Sequence, residues 1–124
     1  MLHSDITGKI IRAFYKVNNT LGYGFLEKVY ENAMAFELKR MGCNVLQQKN
    51  IKVYYENEVM GDYYADLLVD DLVIVELKAC ESIREEHEAQ LINYLKATEI
   101  EVGLLLNFGK KAEFKRKIFT NDRK

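Results

Sequence analysis

The sequence predicts an α+β domain with α/β-like character, in which a mixed central sheet of four or five strands is flanked by helices. Three observations predict it. Apolar residues recur three to four positions apart as far as Gly42, and from Ile51 they alternate with polar ones. Residues 83–98 then return to helical spacing and lead into a strong apolar run at Val102–Phe108.

In the first helical region, Ile6, Ile10, Phe14, Val17 and Leu21 stripe one side of an amphipathic helix that Ser4 or Asp5 can open. Gly22 and Gly24 break it. They lack the third glycine and the preceding strand of a phosphate-cradling loop, so a sharp helix-to-helix turn is the better reading. Phe25, Val29, Ala33, Phe36 and Leu38 carry a second helix, which Gly42 stops. Ile51, Val53 and Tyr55 alternate with Lys52, Tyr54 and Glu56 as a half-buried strand does. Tyr63–Val69 and Val73–Ala79 read as the next two strands, joined around Asp70 and Asp71. Leu72–Leu77 is apolar except for Glu76, the pattern of a strand buried on both faces. Leu91, Tyr94 and Leu95 mark the inner side of a third helix, and Phe114–Phe119 is a candidate edge strand.

Bulk properties narrow the class. A chain of 124 residues is expected to form one domain, 1–124, and an apolar share of 48% suffices for one core. No apolar run nears the roughly 20 residues that span a bilayer. The opening MLHSDITGK has neither the basic start nor the apolar stretch of a secretory signal, so a cytoplasmic protein without membrane partners is expected. Cys43 and Cys80 lack metal-finger spacing and read as two buried or half-buried thiols, with a disulfide as the alternative. Net charge is −1 and the pI about 6.1, which does not advertise nucleic-acid binding by the molecule as a whole. Seven basic residues nevertheless fall between Lys110 and Lys124 against two acids, a local excess that reads as a solvated edge or a phosphate contact.

The chemistry concentrates in YADLLVDDLVIVELKA. Glu76 and Lys78 share one strand face, and Asp66 lies on the strand before. If Asp70, Asp71 and Leu72 form the turn, Val69 pairs with Val73 and Asp66 falls opposite Glu76, on the same face. A two-residue turn pairs Ala65 with Glu76 instead and separates the acids unless a bulge corrects the register. Opposed carboxylates in an apolar sheet repel and lose hydration, which a cation or a proton must offset. Mg²⁺ or Mn²⁺ suits such oxygen ligands. Lys78 could then orient or deprotonate an attacking water or stabilise charge on a phosphate, a plan for phosphodiester hydrolysis. An ion pair of Glu76 with Lys78 at a strand end is the bland alternative.

Several blocks around this hairpin resemble the PD-(D/E)XK nuclease superfamily and, more narrowly, its GxxExxY family. They are Gly24-Phe25-Leu26-Glu27-Lys28-Val29-Tyr30, Tyr64–Val69, Val73–Ala79, His87–Thr98 and Gly103–Gly109, and the resemblance spans about residues 5–119. It implies a restriction-endonuclease-like core with a mixed four-stranded sheet and the acidic hairpin at its centre. It also implies Asp66 and Glu76 as ligands of Mg²⁺ or Mn²⁺, Lys78 as the catalytic lysine, and Glu27 as a further acid reaching the metal directly or through water. Gln90 and Tyr94 resemble the Q-x-x-x-Y pair of RecB-like nucleases, which lies beside the site and positions DNA. Tyr30, one turn beyond Glu27, is a candidate substrate contact as well as a core residue, and Glu31 is open between site and surface. Tyr64 departs from the family, where a basic residue is usual.

The expected function is therefore a Mg²⁺-dependent nuclease acting on DNA, with Glu27, Asp66, Glu76 and Lys78 catalytic. The alternative is a non-catalytic nucleic-acid-binding or regulatory module that retains the fold. A homodimer would enlarge the contact surface of so short a chain.

Overall fold

A computed structural model describes residues 1–124, in which five strands form one mixed sheet with helices on both faces. Helices α1 (Ser4–Leu21) and α2 (Glu27–Arg40) come first, followed by β1 (Val45–Tyr55), β2 (Glu58–Val69) and β3 (Val73–Lys78). Helix α3 (Glu85–Lys96), β4 (Val102–Phe108) and β5 (Ala112–Ile118) complete the core. The strands lie side by side in chain order. β3 and β4 run parallel, because α3 carries the chain back across the sheet; the other three pairings are antiparallel. This is the mixed α+β sheet that the alternating periodicities predict.

Helices α1 and α2 cover one face. Ile10, Ala13, Phe14 and Val17 from α1, with Tyr30, Met34, Ala35 and Leu38 from α2, close over Val73, Val75, Leu77, Leu104 and Leu106. Phe108 anchors this core: the Tyr30 ring stacks on it at 4.3 Å, and the Phe14 ring meets it edge-on at 4.8 Å. Helix α3 covers the opposite face with Leu91, Tyr94 and Leu95 against Ile51, Ala65, Leu68, Ile74 and Leu105. Both faces of β3 and β4 are thus sealed, which is why these two strands read as nearly unbroken apolar runs.

Three expectations are corrected. The inner face of α2 is Tyr30, Met34, Ala35 and Leu38, whereas Phe25, Val29 and Phe36 are exposed. The buried stripe is displaced by a residue because Tyr30 seeks Phe108, and Glu31 goes inward with it. Strand β1 begins at Val45 rather than Ile51, and β2 at Glu58 rather than Tyr63. Beyond Val45 the added residues of β1 are exposed or half-buried, as are those of β2, so they carry no core-facing alternation to be read. Strand β5 is displaced to Ala112–Ile118, leaving Phe119 outside it. Cys43 is buried and Cys80 half-buried, and both are free thiols. No helix is long and apolar enough to cross a membrane.

Candidate active site

The acids meet where β2 parts from β3. Ladder pairing between these strands is confined to Leu67–Val75, Leu68–Ile74 and Val69–Val73, so Asp70, Asp71 and Leu72 form a three-residue loop. Asp70 and Asp71 both take left-handed backbone, at φ 52° and 56°, as short polar side chains tolerate in turns. The next rung sets Asp66 opposite Glu76. There the side chains take over from the ladder: the Asp66 N–H donates to Glu76 Oε2 at 2.7 Å, and the Leu77 N–H donates to Asp66 Oδ2 at 2.8 Å.

A slip in both β1 and β2 makes this exchange possible. Ala65 and Leu68 are three residues apart, yet both pack beneath α3, so the alternation of faces shifts at Asp66. In β1, Val45 faces α1 and α2 while Ile51 faces α3, and the shift falls at Gln48. Gln48 stands across from Asp66, between the Gln47–Leu67 and Lys49–Ala65 pairs, with φ 54° and no place in the ladder. Its amide Nε2 is 2.7 Å from Glu31 Oε1 and 3.3 Å from Asp66 Oδ1, tying the helix to the site. Glu31 is 3% exposed and accepts further hydrogen bonds from Lys28 and Gln47, which satisfy its buried charge.

Electrostatics mark the pair. Glu76 is 6% exposed, and burial above all, then the Asp66 charge, pushes its pKa up to about 8. Lys78 and the Asp66 N–H pull the other way, and Glu27 adds to the rise. Burial likewise lifts Asp66 above its ordinary value, against the Leu77 hydrogen bond and with help from Glu31 and Glu27. Two neighbouring carboxylates that both hold protons too tightly have a deficit of positive charge. Lys78 takes part in none of the chain's ion pairs, leaving its ammonium free beside them.

A divalent cation fits this donor set. Asp66 and Glu76 offer hard oxygen ligands; each of the Asp66 oxygens and Glu76 Oε2 accepts one hydrogen bond, which leaves lone pairs on these and Glu76 Oε1 open. No three His, Cys, Asp or Glu side chains converge at ligand spacing, so a cation held here would be an ion of two carboxylates completed by water, a habit of Mg²⁺.

Of the other candidates, Glu27 stands exposed at the first turn of α2, where its charge is felt by both acids. Gln90 donates from Nε2 to the Tyr94 hydroxyl at 2.7 Å. Burial, and next the Glu76 charge, raises the Tyr94 pKa, and its ring packs with Ala65 and Ile74 beside the acids. Tyr30 is not brought to the site. It is fully buried, and its hydroxyl donates to the Gly22 carbonyl at 2.6 Å and accepts the Phe25 N–H at 3.2 Å, stitching the α1–α2 turn. That correction follows from the Phe108 stack. His87 accepts the Arg84 N–H at 3.1 Å and caps α3.

Sequence reasoning missed Gln48 and Asn107 and left Glu31 open. Asn107 pairs with Lys78 in the β3–β4 ladder and is fully buried. Its Oδ1 accepts the Cys80 N–H at 3.0 Å and its Nδ2 donates to the Cys80 carbonyl at 2.9 Å, extending the sheet past Lys78. Gly109 permits this crossing, since a Cβ there would lie 2.2 Å from the Cys80 oxygen. The lone amide in an apolar strand was the available signal for Asn107. Nothing local announced Gln48, whose role rests on a positive φ.

The chain matches the PD-(D/E)XK nuclease superfamily over residues 4–117. It belongs to that superfamily. The crystal structure of SSO0001 is similar in fold, with 15% sequence identity and a TM-score of 0.55, covering 77% of this chain and 52% of that one. The chain thus spans about half the length of that protein. No curated protein matches it in sequence.

Proposed function

We propose that this PD-(D/E)XK protein is a GxxExxY-type nuclease that hydrolyses DNA phosphodiester bonds with Mg²⁺ or Mn²⁺ held by Asp66 and Glu76. One observation carries the reading: a half-buried and a buried carboxylate of raised proton affinity, each accepting a backbone N–H from the other's strand, stand beside the unpaired ammonium of Lys78. Superfamily membership supports it.

The cation, when bound, supplies Lewis acidity to the phosphate and acidifies nearby water. The chain's own groups do the rest. Asp66 and Glu76 fix the position at which positive charge is held. Lys78 orients the attacking water and stabilises the charge that develops on the phosphoryl oxygens as the phosphorus–oxygen bond to the leaving strand breaks. Glu27 completes the acidic rim, and Gln90 with Tyr94 positions the strand.

The test is cleavage of labelled DNA by highly purified protein with Mg²⁺ or Mn²⁺, beside Glu76→Ala and Lys78→Ala, with cation binding followed by calorimetry. Each variant is expected to lose at least about a hundredfold in rate, a loss typical when one charged group that stabilises a transition state is removed. Glu76→Ala is also expected to lose cation binding. Cleavage that survives both substitutions belongs to a contaminant and overturns the reading. DNA binding by the wild-type protein without cleavage under any divalent cation assigns it to the non-catalytic alternative.

A further inference from the structure

Past the rung at which Asp66 leaves β3, strands β1 and β2 continue as a two-stranded arm paired with no other strand. Between this arm and α3 lies a groove of about 860 Å³. Tyr54, Met60 and Tyr63 line it from the arm, and Gln90, Asn93 and Tyr94 from the helix.

The arm is shaped to present these side chains. Val53 pairs with Gly61 and Tyr54 with Val59, which leaves Met60 as the extra residue of a bulge and re-aims its neighbours. A Cβ on Gly61 would come within 2.7 Å of the Tyr63 ring, so the missing side chain is what lets that ring lie back along the strand. There it faces Tyr94 at 5.9 Å with the planes tilted by 45°. Tyr54, Met60 and Tyr63 remain 60%, 63% and 47% exposed, an unusual display of large side chains beside a polar centre.

Charge decides what this groove suits. Among its lining residues only Glu86 and Lys96 are charged, and the Lys96 ammonium sits 5.4 Å above the Phe119 ring. A near-neutral channel of tyrosine rings and amides is a poor bed for phosphates. It is a good one for nucleobases, which are flat, uncharged and edged with hydrogen-bonding groups. Tyr94 closes one side of the groove and packs in one cluster with Ala65, the residue before Asp66, and Ile74, which shares its strand face with Glu76, so a strand can place its bases against the arm and its backbone at the acids. Paired bases are stacked inside a duplex and present no free face to such rings.

We propose that the arm–α3 groove binds the unpaired bases of single-stranded nucleic acid, which makes single strands, or the unpaired ends of duplexes, the substrate class of the neighbouring site. The link to cleavage rests on the nuclease reading above; the binding itself does not.

The experiment measures binding by fluorescence anisotropy of the full chain in EDTA, so that no turnover intervenes. The probes are a labelled oligothymidylate, an abasic strand of equal length and a blunt duplex. Wild-type protein is expected to bind the thymidine strand at least about tenfold more tightly than the other two. Tyr54→Ala and Tyr63→Ala, both at exposed positions, are expected to lower that affinity by roughly 5- to 100-fold while leaving the weak abasic binding alone. Tyr54→Phe keeps the ring and is expected to retain it. Equal binding of abasic and thymidine strands, a preference for duplex, or indifference to both alanine substitutions overturns the proposal. So does self-association abolished by Tyr54→Ala in a protein that binds no oligonucleotide, an outcome that gives the groove to a second copy of the chain. Base-dependent binding without any cleavage in Mg²⁺ sinks the nuclease reading alone. Cleavage without base preference sinks the groove alone.

Discussion

Beneath α1 and α2 the sheet meets a cluster of 19 buried residues in which Phe14, Tyr30 and Phe108 interlock. Beneath α3 the cluster has eight, and at its border the same sheet holds Asp66, Glu76 and Lys78. One face is filled by rings and branched aliphatics, and the hydroxyl of its buried Tyr30 is fully hydrogen-bonded. The other buries a carboxylate that prefers to be protonated and then opens into a groove. A site that destabilises its own scaffold needs stability from elsewhere, and here it comes from the far side of the same strands, whose alternating residues serve both purposes. Val75 and Leu77 hold the core while Glu76, between them, faces the chemistry.

The largest expected effect lies on the filled face. Phe108→Ala removes the ring on which both Tyr30 and Phe14 pack and leaves a cavity between two helices and the sheet. It is expected to cost about 3–5 kcal/mol, read as a fall in the urea midpoint. A loss below about 1 kcal/mol would show that the two faces share stability evenly and would break the comparison.

Next comes Glu76, where the opposite sign is expected. Its folded pKa of about 8 lies above the ordinary glutamate value of 4.5, so between those pH values the folded state binds more protons than the unfolded one. Stability must therefore fall as pH rises through that window, by up to about 1.4 kcal/mol per pH unit. In the presence of chelator, Glu76→Gln is expected to flatten this slope and to melt higher than wild type at pH 7–8, although it removes a proposed cation ligand. A wild-type melting temperature that is level from pH 5 to 8 would contradict the burial of this group.

Tyr30→Phe sharpens the boundary between the faces. It keeps the ring on Phe108 and deletes only the hydroxyl that bridges Gly22 and Phe25. A loss of about 1 kcal/mol in stability, with cation affinity unchanged in calorimetry, is expected of a structural tyrosine. A drop in cation affinity larger than the stability change would return Tyr30 to the site.

The fold was legible to the extent that periodicity reports burial. Val73–Leu77 and Val102–Phe108 are buried on both faces and announced themselves as apolar runs. The first rungs of β2 are largely exposed, so neither alternation nor apolarity marked them. In α2 the apolar residues Phe25, Val29 and Phe36 misled, because exposure is set by what a helix packs on and Tyr30 had a ring to meet. The acidic pair was readable because strand alternation and turn length together determine which residues oppose. The slip that completes it was not. It depends on Gln48 entering left-handed backbone, a long-range consequence of two strands changing faces on one rung.

The smallest expected effect concerns the basic residues near the C-terminus, which composition alone offers as a phosphate surface. The structure distributes them. Lys117 Nζ pairs with Glu88 at 2.6 Å, Lys124 Nζ caps the carbonyls of Thr98 and Ile100, and Arg123 lies over Phe119. The Lys117–Glu88 pair fastens β5 to α3, the helix that forms one wall of the groove, and Lys124 ties the chain's end to the loop that follows α3. Glu88 is correspondingly held below its ordinary pKa, first by that Lys117 hydrogen bond. Lys117→Ala breaks a partly exposed pair and is expected to shift stability by less than about 1 kcal/mol. If Lys117 makes no phosphate contact, the dependence of oligonucleotide affinity on salt stays as in wild type. A fall of roughly one in the log–log slope would instead place a phosphate on this strand and extend the contact surface from the groove to β5.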